Sequence, residues 1–445
     1  MLTNATIRTK IAILFLLTIS SHSFAQISAE NQRADLKQLY EALVKTHPGF
    51  DRYVTADELL SEYKKLDKSI SAPASNWEFY RLAAKMAAAV KCGHTRLRPS
   101  SNMSEQVQQG RTFFPLPVAF VDSRMYARMQ DQSVKEIIAI DMLSTSEVVG
   151  KISQCFPVDG NADLGRYDFI APAFAVLYAR YVGQHPDDFK LTLKSERGFQ
   201  EVTVKPITFK EAGNLSMTRR SDGPIDYQVR AGAGYLTVMT FGSEEYRNVG
   251  ASYNDFLAET FRKIKESGIK KLVVDIRDNG GGDDQYGAKL CSYLLNKPFS
   301  YFKTVKERGE DGLFHSVQHP CLATQQISLN AFTGEVVLLI NGRTFSTAAD
   351  VAAIFKNSKR GTVMGSETSG GYEGNTSGRS TSIALKNSGM TITIPLWYYE
   401  NEVEPQKFAH RGVLPDVTIT PTVETLNSGK DAALNAAIAL LQGKN

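Results

Sequence analysis

The stretch "EVVLLINGRTFSTAADVAAIF", Glu335–Phe355, sets an apolar run of strand length before a polar turn and then small and apolar residues at helical spacing. "GTVMGSE", residues 361–367, returns to strand character. Strand, helix and strand in that order mark parallel strands joined by crossover helices, so the stretch predicts an α/β core. Ser346 stands at the elbow between strand and helix, with Ala348 and Ala349 behind it. The carboxyl edge of such a sheet is where α/β proteins collect their sites. Ser346 therefore reads either as a nucleophile or as an N-cap, the usual role of a serine at a helix start. The esterase elbow GxSxG is absent, because Thr344 and Ala348 occupy its glycine positions.

The alternation extends back to about residue 225. "AGYLTVMTF" reads as a strand, "SYNDFLAETFRKIKESG" as an amphipathic helix and "KKLVVDIRD" as a buried strand; "NGGGDDQYGAKLCSYLL" is a Gly-rich turn entering a helix. Residues 111–212 differ. "TFFPLPVAFVDSRMYARM" and "FKLTLKSERGFQEVTVKPI" are short strands around turns, and "LYARYVGQHPDDF" supplies a helix and a Pro-containing turn, so a small β-rich domain is expected. Residues 26–110 are helical by pattern, with Leu36, Leu39, Leu43 and Val44 in register and an Asn76 cap opening "NWEFYRLAAKMAAAV". The third domain is expected over 225–442.

A chain of 445 residues, 42% hydrophobic and 22% charged, fits two or three globular domains. Residues 1–25 read as a secretory signal peptide: Arg8 and Lys10 without acids, a short apolar run, and Ser23 and Ala25 ahead of a cut before Gln26. Its removal lowers the formal charge from +4 to +2, a balance that gives no reason to expect nucleic acid. No later segment is long and apolar enough to span a membrane. Secretion would expose Cys92, Cys155, Cys291 and Cys321 to oxidation, and four cysteines leave three pairings open. No metal-ligand spacing is present, and neither metal nor cofactor is expected.

Three glycines, Gly280–Gly282, follow the buried strand in "DIRDNGGG". Glycines there free backbone N–H groups to point into a cavity and meet a developing oxyanion. The tract satisfies neither GxGxxG nor GK[ST], which weakens a nucleotide reading. A serine nucleophile needs a base. His94, on a loop in "KCGHTRL", is the best placed histidine, and His410 is second. Ser61 and Lys64 satisfy SxxK without its companion boxes, and a solvated helical face explains them.

Taken in order, "GYLTVMTF", "KKLVVDIRDNGGG", "VVLLINGRTFSTAADVAAIFKNSKRGTVMGSETSGG" and "RGVLPDV" resemble the S41 serine peptidases, which include the C-terminal processing proteases and the tricorn core. The resemblance covers about 225–420. It implies a ClpP/crotonase-like catalytic core of repeated ββα units, and it extends more weakly to a PDZ-like module over 115–207. "CGHT" resembles the His motif of the Ser–His branch. By position, Ser346 matches the nucleophile and His94 the base; the Gly280–Gly281 turn and the Thr347 amide match the oxyanion hole. Gly371 stands where the Ser–Lys branch carries its lysine, and Ala409 where members often carry a glutamate, leaving Glu402 or Glu404 to orient His94. The resemblance thus implies a secreted, periplasmic or extracellular serine endopeptidase acting on peptides or unfolded proteins. The alternatives are a non-catalytic peptide or apolar-ligand binder on the same fold, or a hydrolase of other acyl substrates.

Overall fold

The computed structural model describes residues 26–443 apart from 111–112, 184–186, 214, 216 and 218–222. The expected signal segment, 1–25, lies outside the described residues.

The amino-terminal region folds as helices α1 (Ala29–Thr46), α2 (Ala56–Ser69) and α3 (Asn76–Ala88). Each begins at a hydroxyl residue outside the helix. Ser28 accepts the Asn31 N–H, and Thr55 and Ser75 form capping boxes with Glu58 and Glu78. The cap of α3 is therefore Ser75 rather than Asn76, whose backbone is already helical. Leu36, Leu39 and Leu43 turn into the core, 0% exposed. Past α3 the chain forms a short strand, β1 (Arg96–Arg98).

The β-rich region holds strands β2 (Val118–Val121), β3 (Arg124–Arg128) and β4 (Val134–Ile140), helices α4 (Thr145–Ser153) and α5 (Asp163–Leu177), then β5 (Phe189–Ser195) and β6 (Gly198–Val204). The strands pair antiparallel in the order β2-β3-β4-β5-β6. The helix expected in "LYARYVGQH" is the end of a longer one: α5 runs into a π-turn over Tyr178–Val182, which stops at Gly183, φ 78°.

The remaining chain contributes β7 (Ile225–Arg230), β8 (Ala233–Val238), α6 (Tyr253–Glu266), β9 (Lys271–Asp275), α7 (Asp284–Leu294), β10 (Phe302–Arg308), β11 (Phe314–Ser316), β12 (Glu335–Ile340), α8 (Thr347–Asn357), β13 (Thr362–Gly365), β14 (Thr376–Ala384), β15 (Thr391–Asn401), β16 (Val417–Thr418) and α9 (Ala432–Leu441). One sheet has the order β7-β8-β9-β12-β13-β16, parallel apart from the β7–β8 hairpin. Strand alternation divides its side chains between two faces. Leu272, Val274, Leu338 and Ile340 pack with the apolar sides of α6, α7 and α8, while Val273, Val337 and Leu339 pack with Leu434, Ala437 and Leu441 of α9.

A second sheet, β11-β10-β15-β14, lies beside the first and takes β1 as an additional antiparallel strand. Leu97 pairs with Ile392 and Arg96 with Thr393. Asp35 of α1, fully buried, adds a second attachment by accepting the backbone N–H groups of Asn387 and Ser388 at 3.0 and 2.7 Å. The helical region is thereby locked to the α/β core, and its side chains share a continuous apolar cluster with Leu385, Ile392 and Ile394. Ile392 is fully buried at this seam. Ile392→Ala should lower unfolding free energy by about 2–5 kcal/mol in urea denaturation, as large-to-small core changes do.

Candidate active site

The elbow after β12 is held by local hydrogen bonds. Thr344 donates its hydroxyl to the Ile276 carbonyl at 3.1 Å, and the Phe345 N–H reaches the Asn279 carbonyl at 3.0 Å. Ser346 then adopts φ 54°, ψ −134°. A non-glycine residue in that region is strained by roughly 1–3 kcal/mol. Its side chain makes no capping hydrogen bond. The N-cap role is thus excluded, and the hydroxyl points elsewhere.

It points at His94. The imidazole Nε2 lies 3.1 Å from Ser346 Oγ, although 252 positions separate them in the chain. The His94 ring stacks on Phe345, centroids 4.6 Å apart. Gly93 permits that stack, since a methyl there would sit 2.6 Å from the Phe345 ring. Burial, with the nearby Arg96 charge adding to it, lowers the His94 pKa to about 3. The ring is therefore neutral at physiological pH, as a general base must be.

The glycine tract packs directly on this pair. A methyl on Gly281, φ 98°, would lie 2.6 Å from Ser346 Cβ, and one on Gly282, φ 146°, would lie 2.1 Å from the Phe241 carbonyl carbon. Thr347 ties the helix start to the tract, donating its hydroxyl to the Gly282 carbonyl (3.0 Å) or to Asp284 (2.8 Å). One expectation changes here. The Gly281 N–H donates to Asn279 Oδ1 at 2.8 Å, so it is already engaged. Gly281 serves by lacking a side chain. The Gly280 and Thr347 amides have no such bond among the described residues, and space beside Gly280 is open.

The structure does not bring the expected acids to His94. Glu402 and Glu404 are exposed, and the Glu404 N–H bonds the side chain of Asn357, at the opposite end of α8 from Ser346. His410 is exposed, and its ring lies edge-on to Tyr53 at 5.8 Å. His94 Nδ1 has no hydrogen-bond partner. A group the sequence reading passed over stands there instead. Asp159, 1% exposed, accepts the Gly93 N–H at 2.8 Å and the Gly371 N–H at 3.4 Å. Its carboxylate, the Cys92 sulfur and a His94 ring nitrogen all lie within 4.8 Å of one another. Burial raises Asp159 to about 6, and it also raises Cys92; the Cys92 sulfur lies 3.0 Å from the Thr376 hydroxyl. The only signal for Asp159 was the Asp-Gly pair in "VDGN", which reads as an ordinary turn.

All four cysteines are buried free thiols. None of the three pairings left open is formed. Gly371 explains the missing lysine in steric terms: a Cβ there would lie 2.6 Å from the Gly374 carbonyl oxygen and 2.7 Å from Tyr53 Oη. Ser61, of the SxxK match, lies on the amphipathic helix α2 and has no part in this cluster.

A strained serine at the end of a parallel strand, facing an imidazole and a glycine turn, is the arrangement of a serine hydrolase. Residues 232–419 match the model of peptidase family S41. Among curated relatives it is 28% identical over 227 residues to the chloroplastic C-terminal processing peptidase of Tetradesmus obliquus, covering 50% of this chain and 42% of that one. It is 24% identical over 233 residues to the carboxy-terminal-processing protease of Bartonella bacilliformis, covering 52% and 48%. The chain therefore spans less than half the length of these relatives. Of solved structures, mature CPAF superposes with a TM-score of 0.64 at 14% identity, over 93% of this chain and 97% of that one. The chain thus shares the fold of that structure over nearly the whole of its described length. Among the described residues no helix is long and apolar enough to cross a membrane.

Because Gly371 has no room for a side chain, Gly371→Lys should not create a Ser–Lys pair. It should lower the thermal midpoint by several degrees, readable by circular dichroism.

Proposed function

We propose that the protein is a serine-type endopeptidase working through a Ser346–His94 pair. The observation that carries this reading is the 3.1 Å contact between Nε2 and Oγ, made to a serine held in strained backbone. His94, neutral, takes the Ser346 proton as Oγ attacks the scissile carbonyl. The tetrahedral oxyanion is met by the N–H groups of Gly280 and Thr347. Such donors are worth about 3 kcal/mol each when aimed at the developing charge. His94 then protonates the leaving amine, and water repeats the sequence on the acyl-enzyme. Asp159 acts as a positioning residue. Through the Gly93 N–H it fixes the turn that presents the imidazole, and through the Gly371 N–H it ties that turn to the core. The amino-terminal signal reading places this chemistry outside the cytoplasm, on peptides or unfolded proteins.

Ser346→Ala should fold normally and lose activity on a peptide substrate by roughly 10⁴-fold or more. A fluorophosphonate probe should label the native chain at Ser346 and fail on that variant. Undiminished peptide turnover by Ser346→Ala would remove the nucleophile assignment, and faster turnover of simple esters than of peptides would favour the acyl-hydrolase reading.

The histidines set the pH dependence. His94 and the fully buried His47 both have pKa values lowered to about 3, burial being the first cause in each. The folded chain keeps its base neutral well into acid, so the acid limb of kcat/KM should fall clearly below pH 6.5. Unfolded histidines bind protons near pH 6.5. The stability these two contribute is therefore complete above that pH and is lost progressively as pH falls toward 3. Asp159 opposes them: its raised pKa favours the fold at low pH, an advantage lost as pH rises from about 4 to 6. A pH series of urea melts reads the balance.

A further inference from the structure

The turn that carries His94 also walls a cavity of about 400 Å³. Gly93 and Thr95, on either side of His94, line it, together with Arg96 and Arg98 of β1 and Arg180 of the π-turn after α5. Ala84 and Ala87 of α3, Phe156 and Leu177 supply apolar wall. Among the described residues no Asp or Glu lines the cavity. Cys155, in its wall, feels three further cations, Lys85, Arg81 and Lys151. One buried polar atom at the cavity is unpartnered, Nε of Arg180. Buried polar groups are nearly always hydrogen-bonded, so this orphan in a cationic cavity marks a place where a partner is absent.

We propose that this cavity is a substrate subsite that binds a peptide carboxylate, on the reading of the chain as a peptidase. Guanidinium groups match a carboxylate in plane and charge, and the apolar wall accepts an aliphatic stem. The cavity is built on the residues flanking His94, which sets it beside the Ser346–His94 pair. The carboxylate can come from the chain end or from an Asp or Glu side chain.

The test uses the full chain and a neutral peptide along which one Glu is walked, each member made with Glu or Gln and as free acid or C-terminal amide. The native enzyme should show a KM at least tenfold lower for one charged member than for its neutral counterpart. Whether Gln or the amide abolishes that preference identifies the source of the carboxylate. Arg98→Gln and Arg180→Gln should remove the preference while leaving kcat on the all-neutral peptide within about twofold. Equal KM for charged and neutral members, or an equal loss on both in the two variants, overturns the subsite. If the native chain cleaves nothing, the peptidase reading fails separately. Calorimetry on Ser346→Ala then tests the cavity alone. Tighter binding of the charged peptide, lost in the Arg98→Gln background, supports it. No preference, or inorganic phosphate bound as tightly as the peptide, overturns it.

Discussion

The antiparallel pairing of Arg96–Arg98 with Thr391–Thr393 is the constraint on which the site depends. It is a short ladder, yet it attaches the His94 turn to a sheet that lies against the core carrying Ser346. Asp159 completes the attachment from a third region, with the Gly93 N–H on one carboxylate oxygen and the Gly371 N–H on the other. Related contacts crowd the same corner: the Gly160 N–H reaches the Lys91 carbonyl at 2.9 Å, and the Asn161 N–H reaches that of His410 at 2.8 Å. The imidazole is held by backbone on several sides, which is what a short contact between distant side chains requires.

Strain and space are managed together around Ser346. The positive φ turns its hydroxyl away from the helix start, and the neighbouring Gly281 keeps the approach free of a Cβ. Thr347 and Asn279 use their side chains to hold this geometry, on the Gly282 carbonyl or Asp284 and on the Gly281 N–H respectively. The cost of an unfavourable backbone is offset by a network that leaves few alternatives.

The parallel core was legible because its strands are unbroken apolar runs and its helices show clear periodicity. "KLVVD" and "EVVLLI" became adjacent parallel strands, as their composition implies. Ser346 and His94 were legible as residue types in telling places, and their proximity was not, since sequence carries no information on a contact spanning 252 positions. Asp159 escaped notice because a buried carboxylate serving backbone amides looks like any Asp-Gly turn. Glu402 and Glu404 illustrate the reverse error: nearness to the terminal "GVLPD" run suggested a role, and the chain folds them against the far end of α8. Gly281 was given a donor's part because a glycine amide is usually free, and the Asn279 side chain had already taken it.

The β1–β15 seam also bears on how the chain comes into being. Ser346 precedes residues 391–393, to which the His94 strand must pair, so a polypeptide still emerging from the ribosome has both side chains before it has the means to unite them. Whatever reaction the pair performs stays latent until synthesis has passed the last strand of that sheet. A product that ends before residue 391 carries nucleophile and base alike but lacks the strand that brings them together.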